Sequence, residues 1–230
     1  MNPILHHRPF CPHSRFVRLI LAERGVEADL VEARPWERQE DFLRMNPEGT
    51  APVLELADSV AVVGADGVAA WLDDTDHGPA DRRLMPEALV ARIEVRRLTR
   101  WFHGKFFEEV SSLLVEEKID KRFIPAKHGG GAPNTAALRA ARANIRYHLA
   151  YIGWLAARND WLAGAALSYA DLAAAAHLSV VDYLGEVPWN EEPAARDWYA
   201  RVKSRPCFRA LLNDRVVGMQ PSATYADLDF

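Results

Sequence analysis

Short strand-like and helix-like patterns alternate up to about residue 75, and everything beyond residue 86 carries helical spacing. Ile4 to His7 reads as a short strand, ended by Arg8, Pro9 and Phe10. Phe16, Val17, Leu19, Ile20 and Leu21 then form an apolar face between Arg15, Arg18, Glu23 and Arg24, and Gly25 suits a left-handed C-terminal cap. Residues 26–33 return to alternation through Val26, Ala28, Leu30 and Ala33, which completes a βαβ unit. Trp36, Phe42 and Leu43 line one face of a charged segment, so residues 36–45 predict a second helix, stopped by Asn46-Pro47. Val53 to Leu56 and Val60 to Val63 read as two strands joined by Ala57-Asp58-Ser59, a hairpin, with a helix near Asp66 to Asp73. Pro52 stands directly before the first of these strands, where a cis proline fixes a sharp turn. The predicted order is β-α-β-α-β-β-α.

Residues 75–86, rich in Asp, Gly and Pro, mark a boundary. The chain thus divides into an α/β domain (1–75), a linker (76–86), an all-helical domain (87–212) and a C-terminal extension (213–230). From Glu87 to about Ile119 the row Leu98, Phe102, Phe106, Val110, Leu114 repeats every fourth residue, and Arg92, Arg96 and Arg100 repeat likewise on another ridge. Such a charge row is a solvated or dimer-paired face in its plain reading and a contact for an acidic partner in its sharper one. The Gly- and Pro-rich loop 125–134 lacks the Lys-Ser/Thr pair and preceding strand of a phosphate loop. Leu138, Ile145, Leu149, Ile152 and Leu155 give a second long helix. Ser168 and Asp171 then form a capping box before an alanine-rich helix, Tyr169 to Leu184. Residues 193–204 and 206–212 continue the helical pattern, and periodicity is lost past Asn213.

Composition is that of an ordinary globular chain: 49% hydrophobic and 26% charged over 230 residues, with a net charge of -4. That charge gives no general attraction to nucleic acid or anionic lipid, and no apolar run reaches membrane-spanning length, so neither nucleic acid nor membrane insertion is expected. The N-terminus has no signal-like segment, and the two cysteines, Cys11 and Cys207, make no disulfide framework; a cytoplasmic location is expected. His6, His7, Cys11 and His13 are close in sequence, but adjacent histidines on a strand face opposite ways, and no metal is expected.

The strings CPHSRFVRLILAERG, NPEGTAPVLEL, LSYADLA and RVKSRPCFRAL, with the order of elements, resemble the glutathione S-transferase family across nearly the whole chain. The resemblance implies a thioredoxin-like N-terminal domain followed by an all-α C-terminal domain. It places Cys11 and Ser14 where transferases keep the residue that addresses the glutathione sulfur. A thiol at a helix N-terminus is favoured as thiolate, although Cys-Pro-x-Ser also simply caps a helix. The family carries Glu-Ser seven and six residues before the aromatic of a Tyr-Leu pair, to receive the γ-glutamyl carboxylate at a helix N-terminus. Here the pair is Trp71-Leu72, and counting back gives Gly64 and Ala65, with Asp66 adding negative charge. That loss implies a cost of a few kcal/mol, about a hundredfold or more in affinity. Ala51-Pro52 keeps the main-chain contact.

The resemblance therefore implies a degenerate glutathione site and a non-catalytic chain without cofactor. The alternative is a glutathione-dependent transferase or thiol reductase using Cys11 or Ser14. Within the family, the strings VVGADGVAAWL, KHGGGAPN and YADLDF resemble a bacterial cell-division branch that binds the FtsZ filament, which implies a scaffold at the division site contacting FtsZ polymer and a second divisome protein. The family's long helices pair across a twofold axis, which would use Arg92, Arg96, Arg100 and the aromatic row in a homodimer. Tyr225, Asp227, Leu228, Asp229 and Phe230 form an acidic, hydrophobic tail suited to a partner's basic groove, unless the tail frays or packs on its own domain. Trp36 and Arg38 are a second candidate patch if the indole is exposed; core packing of Trp36 would remove it.

Overall fold

The protein was analysed as a computed structural model that describes residues 2–228, so Asp229 and Phe230, named above as tail contacts, lie outside the described residues. The α/β part consists of β1 (Ile4–His7), α1 (Pro12–Glu23), β2 (Asp29–Glu32), α2 (Glu40–Met45), β3 (Val53–Glu55), β4 (Ala61–Val63) and α3 (Gly64–Asp74), in the predicted order. The strands lie β2-β1-β3-β4, with β2 parallel to β1, and with β3 antiparallel to both β1 and β4. Leu5 and Leu54 of the sheet pack with Val17 and Ile20 of α1 and Val68 and Leu72 of α3.

Two elements differ from the sequence pattern. The second strand is shorter than residues 26–33, and its Leu30 and Val31 are exposed because β2 is an edge strand whose alternation does not face a core on either side. The segment 36–45 is not one helix. Pro35–Glu37 makes a 3₁₀ turn, Arg38 takes a left-handed backbone (φ 49°), and α2 starts only at Glu40. Trp36 is consequently neither in the core nor fully exposed; the Arg8 guanidinium lies 5.4 Å from the centre of its ring.

The helical part begins with α4 (Leu89–Trp101), which runs on without a break through wide π-type turns at Phe102–Ser111 and Glu116–Asp120 to Phe123. A strict four-residue repeat would drift around an α-helix of 3.6 residues per turn; the wider turns hold it to one side. Leu98, Phe102, Phe106, Val110 and Leu114 are all fully buried in the chain's own core, so the aromatic row expected at a dimer interface is taken up internally. α5 (Thr135–Ala156) is capped by Asn134, whose side-chain oxygen accepts from the Ala136 and Ala137 amides. α6 (Tyr169–Tyr183) is buried along its whole length, and its row of alanines lets α1 pack close against it. At its head Asp171 accepts from the Ser168 amide at 3.0 Å, from the Leu162 amide at 2.8 Å and from Trp198 Nε1 at 3.0 Å. α7 (Pro193–Lys203) and α8 (Arg209–Leu212) complete the bundle.

The C-terminal segment is folded onto this bundle. Tyr225 is fully buried; its hydroxyl donates to the Leu211 carbonyl at 2.6 Å and accepts from Arg15 at 3.0 Å. Lys203, also buried, donates to the Thr224 carbonyl at 2.6 Å. Burial brings the Lys203 ammonium down to about 8, against the raising influence of Asp182 and Asp227. Tyr225 is therefore a core residue rather than part of a free docking peptide; among the described tail residues named for partner binding, Asp227 and Leu228 are exposed.

Candidate functional site

The loop after β1 brings Cys11 to the N-cap of α1, with Pro12 in the first helical turn. Its thiol faces the Ala51 carbonyl at 3.7 Å across a cis Ala51-Pro52 bond. Burial disfavours the thiolate, but the His13 hydrogen bond and charge, together with Arg8 and the Ser14 amide, outweigh it and bring Cys11 down to about 7. The same contact holds the pKa of His13 above its usual value despite burial. Cys207 is the opposite case: burial beside Glu23 pushes its thiol up to about 12. Alkylation by iodoacetamide should thus modify Cys11 with a pH midpoint near 7 and leave Cys207 untouched at neutral pH. His13→Gln should move the midpoint upward, because the thiolate loses its partner; peptide mapping across a pH series checks both. Ser14, the other sulfur-addressing candidate, is fully buried and its hydroxyl accepts from the Arg8 amide at 3.2 Å, so it does not reach the cleft.

Next to this thiol the frame of the ligand cradle is intact. The Gly64 amide donates to the Pro52 carbonyl at 3.0 Å, Gly64 adopts φ +78°, and α3 starts there. The two positions where the family resemblance calls for a polar pair carry no side-chain donor: Gly64 has no side chain, and the Ala65 methyl is buried against the core. Asp66 is exposed in the first turn of α3, its carboxylate turned to the cleft between α3 and α4.

That cleft also receives the arginine ridge. Arg92, Arg96 and Arg100 line it opposite Asp66, Asp73 and Asp74, so the repulsive row on α4 has acidic company on α3. The ridge is a wall of an intramolecular groove. The exposed apolar residues beside it are Leu89, Val90 and Ile93, at the start of α4. On the other side of the molecule Trp36, Phe10, Ile119 and Phe123 line a groove of about 560 Å³, with Arg8, Lys127 and Arg215 at its rim.

One cluster escaped sequence reasoning. His13, His103 and His177 come from α1, the first wide turn after α4, and α6, and one nitrogen of each lies within 4.8 Å of the others. His103 Nδ1 is 3.1 Å from His177 Nε2, and Ser111 Oγ is 2.8 Å from His177 Nδ1. Burial, reinforced by neighbouring imidazoles, holds His103 and His177 well below the usual imidazole range, so both are neutral at pH 7. Only His13 of the three stood near a motif in the sequence, and no local spacing links it to the other two.

A two-layer α/β domain with a cis proline ahead of its hairpin, followed by a helical bundle with a buried capping box, defines the class. The chain matches the families described as "Glutathione S-transferase, N-terminal domain" over residues 5–80 and "Glutathione S-transferase, C-terminal domain" over residues 114–206. It belongs to the glutathione S-transferase family. Among its relatives is FtsZ-localized protein A of Caulobacter vibrioides, 43% identical over 98% of this chain and 97% of that protein. The structure of FzlA from C. crescentus superposes with a TM-score of 0.91 at 43% identity, each chain covered in full. A glutathione S-transferase from Sinorhizobium meliloti 1021 superposes with a TM-score of 0.97 at 50% identity, again over the whole of both chains. No helix among the described residues is long and apolar enough to cross a membrane.

Proposed function

We propose that this chain is a non-catalytic scaffold that binds FtsZ filaments as a homodimer and promotes constriction in bacterial cell division. The observation that carries the reading is the cradle at the N-terminus of α3: its backbone frame is kept, while Gly64 and Ala65 offer no side-chain hydrogen bond and Asp66 repels a carboxylate. A site of this kind preserves a fold without preserving its ligand. The full-length kinship with FtsZ-localized protein A supports FtsZ as the partner and the cytoplasmic division site as the location. The exposed Leu89, Val90 and Ile93 beside the arginine groove supply the apolar face on which a twofold dimer would close. A dimer presents each patch twice, which strengthens binding to a repetitive filament. Asp227 and Leu228 are exposed at the end of an anchored tail and remain the described candidates for a second divisome partner. Co-sedimentation with polymerised FtsZ tests the proposal.

A second reading, a glutathione-dependent transferase or thiol reductase, is favoured by one observation: the Cys11 thiol brought down to about 7 beside His13. The two are separable by calorimetry. A scaffold gives no glutathione binding heat at about millimolar ligand, the weak end of ordinary affinities. An enzyme gives saturable heat together with disulfide reduction that is lost in Cys11→Ser.

A further inference from the structure

The histidine cluster at the junction of the two domains has a role that neither the scaffold nor the transferase reading uses. We infer that His13, His103 and His177 form a binding site for a single divalent transition-metal ion, zinc by preference, with water from the neighbouring cleft as the fourth ligand.

Four features of the geometry carry this. Three imidazoles from three separate elements converge, each offering a nitrogen within 4.8 Å of the other two. Two nitrogens bound tetrahedrally to zinc at 2.0–2.1 Å stand about 3.3 Å apart. His103 Nδ1 and His177 Nε2, at 3.1 Å, already have nearly that separation, and a small swing of the His13 ring closes the triangle.

The His177 ring is held as a metal ligand's ring is held. Ser111 Oγ, 2.8 Å from His177 Nδ1, can accept the proton of that nitrogen, the tautomer that leaves the Nε2 lone pair facing His103. His13 Nε2 lies 3.3 Å from the His103 carbonyl, a contact that an ion displaces when the ring swings to offer it that nitrogen's lone pair.

His103 is the third feature. Its Nε2 is buried and has no hydrogen-bond partner among the described residues, a cost that packing alone does not offset. Its Nδ1 meets His177 Nε2 at 3.1 Å, and an ion bound between the two nitrogens would replace that contact. His103 also stands in the first of the wide π-type turns, a backbone form concentrated at functional sites.

The last feature is access. His103 lines a cleft of about 520 Å³ together with Asp66, Glu108, Arg97, Arg100 and Lys105, so water reaches the edge of the cluster at His103. Three imidazoles with an open fourth position is the ligand pattern of zinc sites that bind water, and imidazole suits zinc, copper and nickel better than magnesium or calcium.

The test uses the full chain stripped with a chelator and dialysed against zinc, with Co²⁺ as a spectroscopic reporter. The expected result is one zinc per chain and a visible Co²⁺ spectrum of tetrahedral intensity, with Mg²⁺ unable to compete. His103→Gln and His177→Gln should abolish both signals. Ser111→Ala, which keeps every ligand, should weaken zinc about 10–100-fold by releasing the His177 ring. His128→Gln, on the exposed loop before α5, should change nothing. If His177→Gln fails to fold by circular dichroism, Ser111→Ala and His103→Gln decide the matter. Zinc that binds the wild type and all of these variants equally, or no binding above that of a histidine-free control protein, overturns the site.

Discussion

Tyr225→Ala should destabilise the protein by about 3–5 kcal/mol, the usual cost of deleting a buried aromatic side chain. The ring packs edge-on against Tyr183 at 4.9 Å, and its hydroxyl bridges Arg15 and the Leu211 carbonyl. Truncation opens a cavity and removes a partner from a fully buried guanidinium. Tyr225→Phe keeps the ring and leaves the two polar groups unbridged, at a cost of about 1–3 kcal/mol. Urea titration of the three proteins, read as a shift of midpoint at constant slope, checks the order. A Tyr225→Ala midpoint above that of Tyr225→Phe would show that the C-terminal segment is not part of the cooperative unit.

Asp214→Ala should be comparably severe, again about 3–5 kcal/mol, because it leaves the fully buried Arg15 guanidinium without its carboxylate. Its carboxylate accepts from Arg18 at 2.7 Å and from Arg15 at 3.1 Å, two arginines of α1 held inside the helical domain. Removing it takes the carboxylate from both and leaves Arg15 with the neutral acceptors Pro9, Ser179 and Tyr225. Asp214→Asn keeps one acceptor oxygen and should recover part of the loss. Arg15 is shared by Tyr225 and Asp214, so the double variant should lose less than the sum of the single losses, a non-additivity that double-mutant unfolding measures directly. Full additivity would mean that Arg15 does not couple the two groups.

How much of this was legible in the sequence follows the range of the interactions. Order and type of elements rest on local period, so the β-α-β-α-β-β-α sequence, the Ser168–Asp171 box and the buried row from Leu98 to Leu114 could all be read from spacing alone. Where local pattern and tertiary context conflict, the reading failed. Leu30 looks like part of a core alternation, yet it sits on a sheet edge, and Arg38 interrupts what spacing reads as one helix. Arg15, which in the sequence only flanks an apolar helix face, is fully buried, and its partners Asp214, Ser179 and Tyr225 lie 164 to 210 positions away. The same distance explains Tyr225, read as a docking residue, and no helical wheel of α4 displays the acidic residues of α3 that share a cleft with the arginine ridge.

The candidate site was half legible. Gly64 and Ala65 could be placed by counting from Trp71-Leu72, and the structure puts them at the N-terminus of α3, beside the cis proline, where the count located them. The thiol at Cys11 was visible as a helix N-cap, but its depression toward 7 depends on His13 and Arg8 in three dimensions. The histidine cluster was invisible: His13 and His103 are 90 positions apart, and His103 and His177 are 74 apart.

The central claim is that the kept frame serves filament binding rather than glutathione chemistry. Pelleting of polymerised FtsZ at low salt, with the chain present at graded concentrations, tests it most directly. The account predicts saturable co-sedimentation that depends on nucleotide-driven FtsZ assembly and is unaffected by added glutathione. A chain that stays in the supernatant at every concentration while FtsZ pellets normally would contradict it.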